Sequence, residues 1–137
     1  MKTLLFTLIL TALHATTSPV SAHGNHPPFD APGHVWQLIE LNGAPFTARA
    51  TLTFPEPGKL AGQAPCNRYF GKMWGDYPWF KAGQIGATRR ACPELAAEQA
   101  FLKALGEMSQ ADASDSHLLL TGAGRQSMVF RLMPPTE

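Results

Sequence analysis

CNRYFGKMWGDYPWFKAGQIGATRRAC, residues Cys66 to Cys92, is the stretch on which the fold of this 137-residue chain turns. It holds both cysteines, both tyrosines, two of the three tryptophans and five of the eleven Lys/Arg residues. Tyr69 to Trp74 reads as a strand with aromatic faces. Gly75-Asp-Tyr-Pro78 is a turn by composition. Trp79 to Ala87 reads as a weaker strand, interrupted by Gly83 and Gly86. After Cys92 the period changes. Pro93 suits a first helical turn, where its missing N–H costs nothing. Glu94 and Glu98 sit near the positive start of the helix. Leu95, Phe101, Leu102, Leu105 and Met108 fall at three- and four-residue steps and make one apolar stripe. The spacing predicts one helix over 94–108, its apolar face covered by the sheet.

Outward toward the N-terminus, Val35 to Leu41 is a candidate strand ending at Asn42-Gly43, a tight-turn signal. Arg49 to Phe54 alternates, with Ala50, Leu52 and Phe54 on one face and Arg49, Thr51 and Thr53 on the other. Pro55 to Gly58 is a turn. Lys59 to Gln63 is a short strand in which Gly62 permits a bulge or a close backbone approach. Ala64 to Asn67 forces an irregular turn. Toward the C-terminus, Asp112 to Ser116 reads as a polar loop. His117 to Thr121 and Gln126 to Leu132 form a hairpin around Gly122-Ala-Gly-Arg125, with Met128, Phe130 and Leu132 on one face. Pro134-Pro135 stops the last strand. Many short strands with one helix predict an α+β fold: a single compact antiparallel β-rich domain, a curved sheet or partial barrel with one packed helix. There is no internal repeat.

Residues 1–22 have the layout of a secretory signal peptide. Met1-Lys2 gives a positive start, Leu4 to Leu13 an apolar run, and Val20 and Ala22 small residues at the cleavage subsites. The run is too short to span a bilayer as a stable helix. Residues 23–33 read as a flexible lead-in, 34–133 as the domain and 134–137 as a tail. Cleavage before His23 leaves ten Lys/Arg against ten Asp/Glu. That balance makes no electrostatic case for nucleic acid or an anionic membrane surface. No later run is transmembrane. The expected location is periplasmic or secreted. Two cysteines in an exported domain most simply form one disulfide, Cys66–Cys92. A metal-thiolate pair or a redox dithiol are the alternatives, and neither has its usual C-x-x-C spacing.

Five motifs carry a resemblance to a known family. They are W-x-L-x-x-x-N-G at Trp36 to Gly43, C-N-R-Y-x-G at Cys66 to Gly71, T-R-x-x-C at Thr88 to Cys92, F-L-x-A-L at Phe101 to Leu105, and L-x-L at Leu118 to Leu120. In order and spacing the chain resembles the META domain of heat-shock-protein-HslJ-like proteins over Val35 to Leu132. The resemblance implies a small exported bacterial protein with a compact β-rich fold, a packed helix, no established enzymatic activity and no cofactor. It also implies a stress or envelope-maintenance context. Pro65 stands where a glycine is common in the family. No cysteine lies near the cleavage site, so lipid anchoring is not carried over.

Asn67, Arg68, Thr88, Arg89 and Arg90 flank the cysteines, and a disulfide would gather them. They could form a donor-rich pocket for a carboxylate or another anion. The plainer reading, which the local habits of turn residues favour, is that Asn67 satisfies nearby backbone and the arginines are solvated. Trp74 and Trp79 are expected at the rim of the sheet as an adhesive patch for a protein or glycan. Tyr69 and Phe80 are expected in the core. His23, His26 and His34 are weak metal candidates, a new N-terminal amine at His23 adding one donor; a tail with scattered histidines is the plainer account.

G-x-S-x-G, H-E-x-x-H, P-loop and dinucleotide patterns are absent. The expectation is a monomeric, non-catalytic domain without cofactor that binds an envelope protein or small ligand. A metal carrier or an accessory protein without a ligand are the alternatives.

Overall fold

In the computed structural model, which describes residues 29–135, the inward side chains Trp36 and Leu38 set the face of β1 (Trp36–Leu41). Asn42 and Gly43 follow with φ of 51° and 80°. A two-residue hairpin turn needs that left-handed pair. The chain returns as β2 (Ala44–Pro45), and β3 (Thr51–Leu52) then pairs with the start of β1. Ala50, Leu52 and Phe54 face the core, as their alternation predicts. Only Thr51 and Leu52 of the expected Arg49–Phe54 strand are laddered on β1, because Thr53 leaves it and bridges to Ala61. Thr51, expected on the outer face, is buried. Its hydroxyl accepts the Gln63 N–H at 3.0 Å and its carbonyl accepts the Tyr69 hydroxyl at 2.6 Å.

β4 (Lys59–Gln63), β5 (Arg68–Trp74) and β6 (Lys81–Ala87) make a three-stranded antiparallel sheet in that order. Gly62 allows the close approach read from the sequence: a Cβ there would lie 2.0 Å from the Thr51 carbonyl oxygen. After α1 (Leu95–Glu107) come β7 (Met108–Ala113), β8 (His117–Gly122) and β9 (Ser127–Leu132). These join the larger sheet in the order β2-β1-β9-β8-β7, with β3 set against β1. Single bridges, Thr53 to Ala61 and Trp79 to Gln110, link the two sheets at both seams. The result is a pair of curved antiparallel sheets with one helix, not a continuous closed barrel.

β7 corrects the expected loop at Asp112 to Ser116. Helix α1 passes straight into strand at Met108, and the loop shrinks to Ser114–Ser116. MSQADA has little intrinsic strand preference. Its neighbours impose the conformation: β8 pairs along its length, while Phe80 N–H and Ala111 N–H bond to Ser109 and Pro78 carbonyls across the seam.

The core lies between the sheets and the helix. Phe101 and Leu105 of α1 are completely buried with Trp36, Tyr69, Leu118, Met128 and Phe130. Tyr69 and Phe101 meet edge to face at 5.3 Å. Leu95, expected in the apolar stripe, is 37 % exposed. Glu98 takes the inward position instead. Phe29, in the stretch read as a lead-in, is buried against Phe54, and its carbonyl accepts the Trp36 indole N–H at 2.8 Å.

Burial pushes the Tyr69 phenol far above its ordinary 10.0. The unfolded phenol loses its proton above pH 10 while the folded one keeps it, so stability falls as pH rises past that value. Tyr69→Phe is expected to cost about 1 to 2 kcal/mol at neutral pH and to flatten the alkaline decline. Urea titrations of both proteins at pH 8 and pH 11 check this; an unchanged alkaline slope would contradict it.

Candidate functional site

The Cys66–Cys92 disulfide, with a Cα–Cα distance of 5.6 Å, joins the turn before β5 to the start of α1. The carboxylate of Glu98, one turn into the helix, points into this junction and is buried. One oxygen accepts the backbone N–H groups of Cys66 at 2.7 Å and Asn67 at 2.8 Å. The other accepts the Asn67 side-chain amide at 2.6 Å. Asn67 is also buried, and it uses the rest of its amide on the segment that follows β6. Its nitrogen donates to the Arg90 carbonyl at 3.0 Å, while its oxygen accepts the Arg90 N–H at 2.6 Å and the Thr88 hydroxyl at 3.0 Å. Turn, strand end and helix are thus tied by two side chains whose hydrogen-bonding capacity is spent inside the protein.

The disulfide brings Asn67, Thr88 and Arg90 together, as their flanking positions suggested. What they form is a clamp on the backbone. Asn67 has no donor left for a ligand. The Arg89 and Arg90 guanidiniums are exposed beside a shallow hollow of about 410 Å³, bordered also by Leu95 and Gln99. Arg68 does not join them. It lies on β5 and projects from the outer face of the small sheet. Glu98 lies in the first turn of α1, near the positive helix start as its position predicts, and its burial and its bonds to Cys66 and Asn67 are the part that sequence reasoning missed. The signal was its spacing, since 98, 101 and 105 fall on one helical face.

The outer face of the β4–β5–β6 sheet carries the second set of candidates. Phe70 and Trp79 are each 61 % exposed and Trp74 is 48 % exposed. Tyr69 and Phe80, their neighbours in sequence, are buried. Tyr77 is half-buried near Phe29, before a cis bond to Pro78.

Among the described residues no group of three or more His, Cys, Asp or Glu side chains is placed to hold a metal ion. His34 stacks edge-on to Trp36 at 6.0 Å; His23 and His26 lie outside the described residues. No helix among the described residues is long and apolar enough to cross a membrane.

The family model described as META domain matches residues 30–134. The chain belongs to the META domain family. Three solved structures share the fold of this META domain. A protein solved by NMR is 26 % identical, with a TM-score of 0.61 over 77 % of this chain and 94 % of that one. An NMR structure from Burkholderia xenovorans is 22 % identical, with a TM-score of 0.62 over 89 % and 99 %. A crystal structure of a DUF4847 family protein from Bacteroides vulgatus is 13 % identical, with a TM-score of 0.59 over 77 % and 95 %. No curated protein shows a significant match. In this META domain, Asn67 of the C-N-R-Y-x-G motif and Thr88 of the T-R-x-x-C motif hydrogen-bond each other, so the two motifs form one structural unit.

Proposed function

We propose that this chain is an exported, non-catalytic META domain that holds a partner at the cell envelope, in a stress or envelope-maintenance role. The observation that carries the reading is the exposure of Phe70 and Trp74 at alternate outward positions of β5, with Trp79 also exposed just before β6. Large aromatics left in water on a small domain are costly unless they meet a partner, and such rings dominate binding energy where they do. The interior polar side chains Asn67 and Glu98 spend their hydrogen bonds on backbone, on each other and on Thr88, which favours a binding surface over a reaction centre. The disulfide fits an oxidising compartment.

The test uses native protein and a Trp74→Ala/Trp79→Ala variant produced in the host. The native chain is expected to start at His23 and to accept alkylation only after reduction. Washed envelopes should retain it and release the double variant, with a loss of affinity of about tenfold or more. Equal retention of both, or an uncleaved chain with free thiols, would overturn the reading.

A further inference from the structure

We propose that the outer face of the β4–β5–β6 sheet is a track for a carboxylate-bearing polysaccharide, a polyuronate. This rests on the reading that the same face meets an envelope partner. The chain as a whole is nearly neutral, but this region is not. From Arg49 to Thr88 it carries five Lys/Arg and two acids. Along β5, Arg68, Phe70, Lys72 and Trp74 take alternate positions, and all four are exposed. Lys59 of β4 sits opposite Lys72, and Lys81 of β6 opposite Trp74. Trp79 lies two residues before Lys81 and is exposed as well. Of these cations only Lys59 has an acid within ion-pair distance among the described residues, Glu56 at 2.6 Å.

The aromatic rings rest on glycines. A Cβ at Gly86 would lie 3.0 Å from the Phe70 ring, and one at Gly83 would lie 2.9 Å from the Trp74 ring. The sheet therefore supports each ring from beneath, with no side chain of β6 between, while much of the ring stays open to solvent. At its β3–β4 end the track runs into a hollow of about 480 Å³ lined by Arg49, Gln63, Arg68 and Phe70. Two guanidinium forks at one hollow suit carboxylates.

The order of groups selects the ligand. Successive outward side chains on a strand are about 6.7 Å apart, so like groups on β5 recur about every 13 Å with the other kind between them. Binders of single-stranded nucleic acid also combine a cationic groove with stacking rings, so an oligonucleotide is the competing ligand that the test must separate. Here cation and ring alternate along one line. A polyuronate offers that pattern in a single chain, because its carboxylates are interleaved with the apolar faces of its sugar rings.

Calorimetric titration of the full oxidised protein tests this, with an oligouronate, a neutral dextran oligomer of equal length and oligothymidylate as probes. The oligouronate is expected to bind best and to weaken as salt rises. Lys72→Gln/Lys81→Gln should weaken it about tenfold and reduce the salt dependence. Trp74→Ala should weaken it roughly fivefold and leave the salt dependence unchanged. Lys72→Arg/Lys81→Arg, which keeps the charge, should bind as the native protein does, so that misfolding cannot imitate the result. Equal affinity for dextran, tighter binding of oligothymidylate, or native affinity in the glutamine variant would each overturn the inference. If the oligouronate fails to bind while envelopes still retain the protein through Trp74 and Trp79, only the polyuronate is wrong.

Discussion

Glu98→Ala is expected to destabilise the domain by about 4 kcal/mol, measured by urea unfolding of the oxidised protein at neutral pH. The carboxylate accepts two backbone N–H groups and one side-chain amide, all at 2.8 Å or less. Each hydrogen bond to a charged acceptor contributes about 1.5 to 3 kcal/mol, and a buried donor left unpaired costs about 1 to 3 kcal/mol. Water entering the space left by the side chain recovers part of that loss, which is why the expectation falls below the simple total. Glu98→Gln keeps the shape but replaces one acceptor oxygen by a donor. It should cost about 2 kcal/mol, because one of the three donors then faces an N–H₂ group. Asn67→Ala combined with Glu98→Ala should cost clearly less than the two single losses added, since both remove the same Asn67–Glu98 bond. A loss below 1 kcal/mol in Glu98→Ala would show that the helix docks without this carboxylate.

The second large effect is the disulfide. Cys66 and Cys92 close a loop of 27 residues. Removing the cross-link by Cys66→Ala/Cys92→Ala, or by reduction, is expected to lower stability by about 3.5 kcal/mol through the freedom restored to the unfolded chain. A small domain has only about 5 to 15 kcal/mol in all. The reduced protein should nonetheless stay folded at room temperature. Asn67 and Glu98 still hold the two ends of the loop against each other, and the β5–β6 ladder lies inside the loop. Equal urea midpoints for oxidised and reduced protein would contradict the expectation.

Much of the architecture was legible because it rests on local pattern. Asn42-Gly43 announces its turn, and the alternation at Ala50, Leu52 and Phe54 announces its buried face. The helix follows from the spacing of Phe101, Leu105 and Met108, with ends within a residue of those read. What stayed hidden was decided by partners distant in sequence. β7 is a strand because β8 and the Trp79 segment flank it, and nothing within Met108–Ala113 says so. Thr51 is buried because Gly62 lets β4 approach and Tyr69 reaches its carbonyl. Leu95 is partly in water while Glu98, one turn on, takes the inward place. At the candidate site, the sequence could gather Asn67, Thr88 and Arg90 through the disulfide. It could not show that Asn67 would spend both ends of its amide on Glu98 and Arg90. The rim positions of Trp74 and Trp79 were readable from the turn between them; the exposure of Phe70 was not, because a phenylalanine between two inward residues can equally cover a second layer.

β1 lies between β3 and β9, so the first strand of the larger sheet is paired along its length by the last. That pairing spans nearly the whole described chain. During synthesis, therefore, β1 waits. The hairpins of the small sheet can form as they emerge, but the central ladder has no partner until β9 has been made. Until then one edge of β1 lacks its partner, while β2 and β3 pair with its other edge. Timing follows from strand order: the β1–β9 ladder, which joins the segments most distant in sequence, is the last to close.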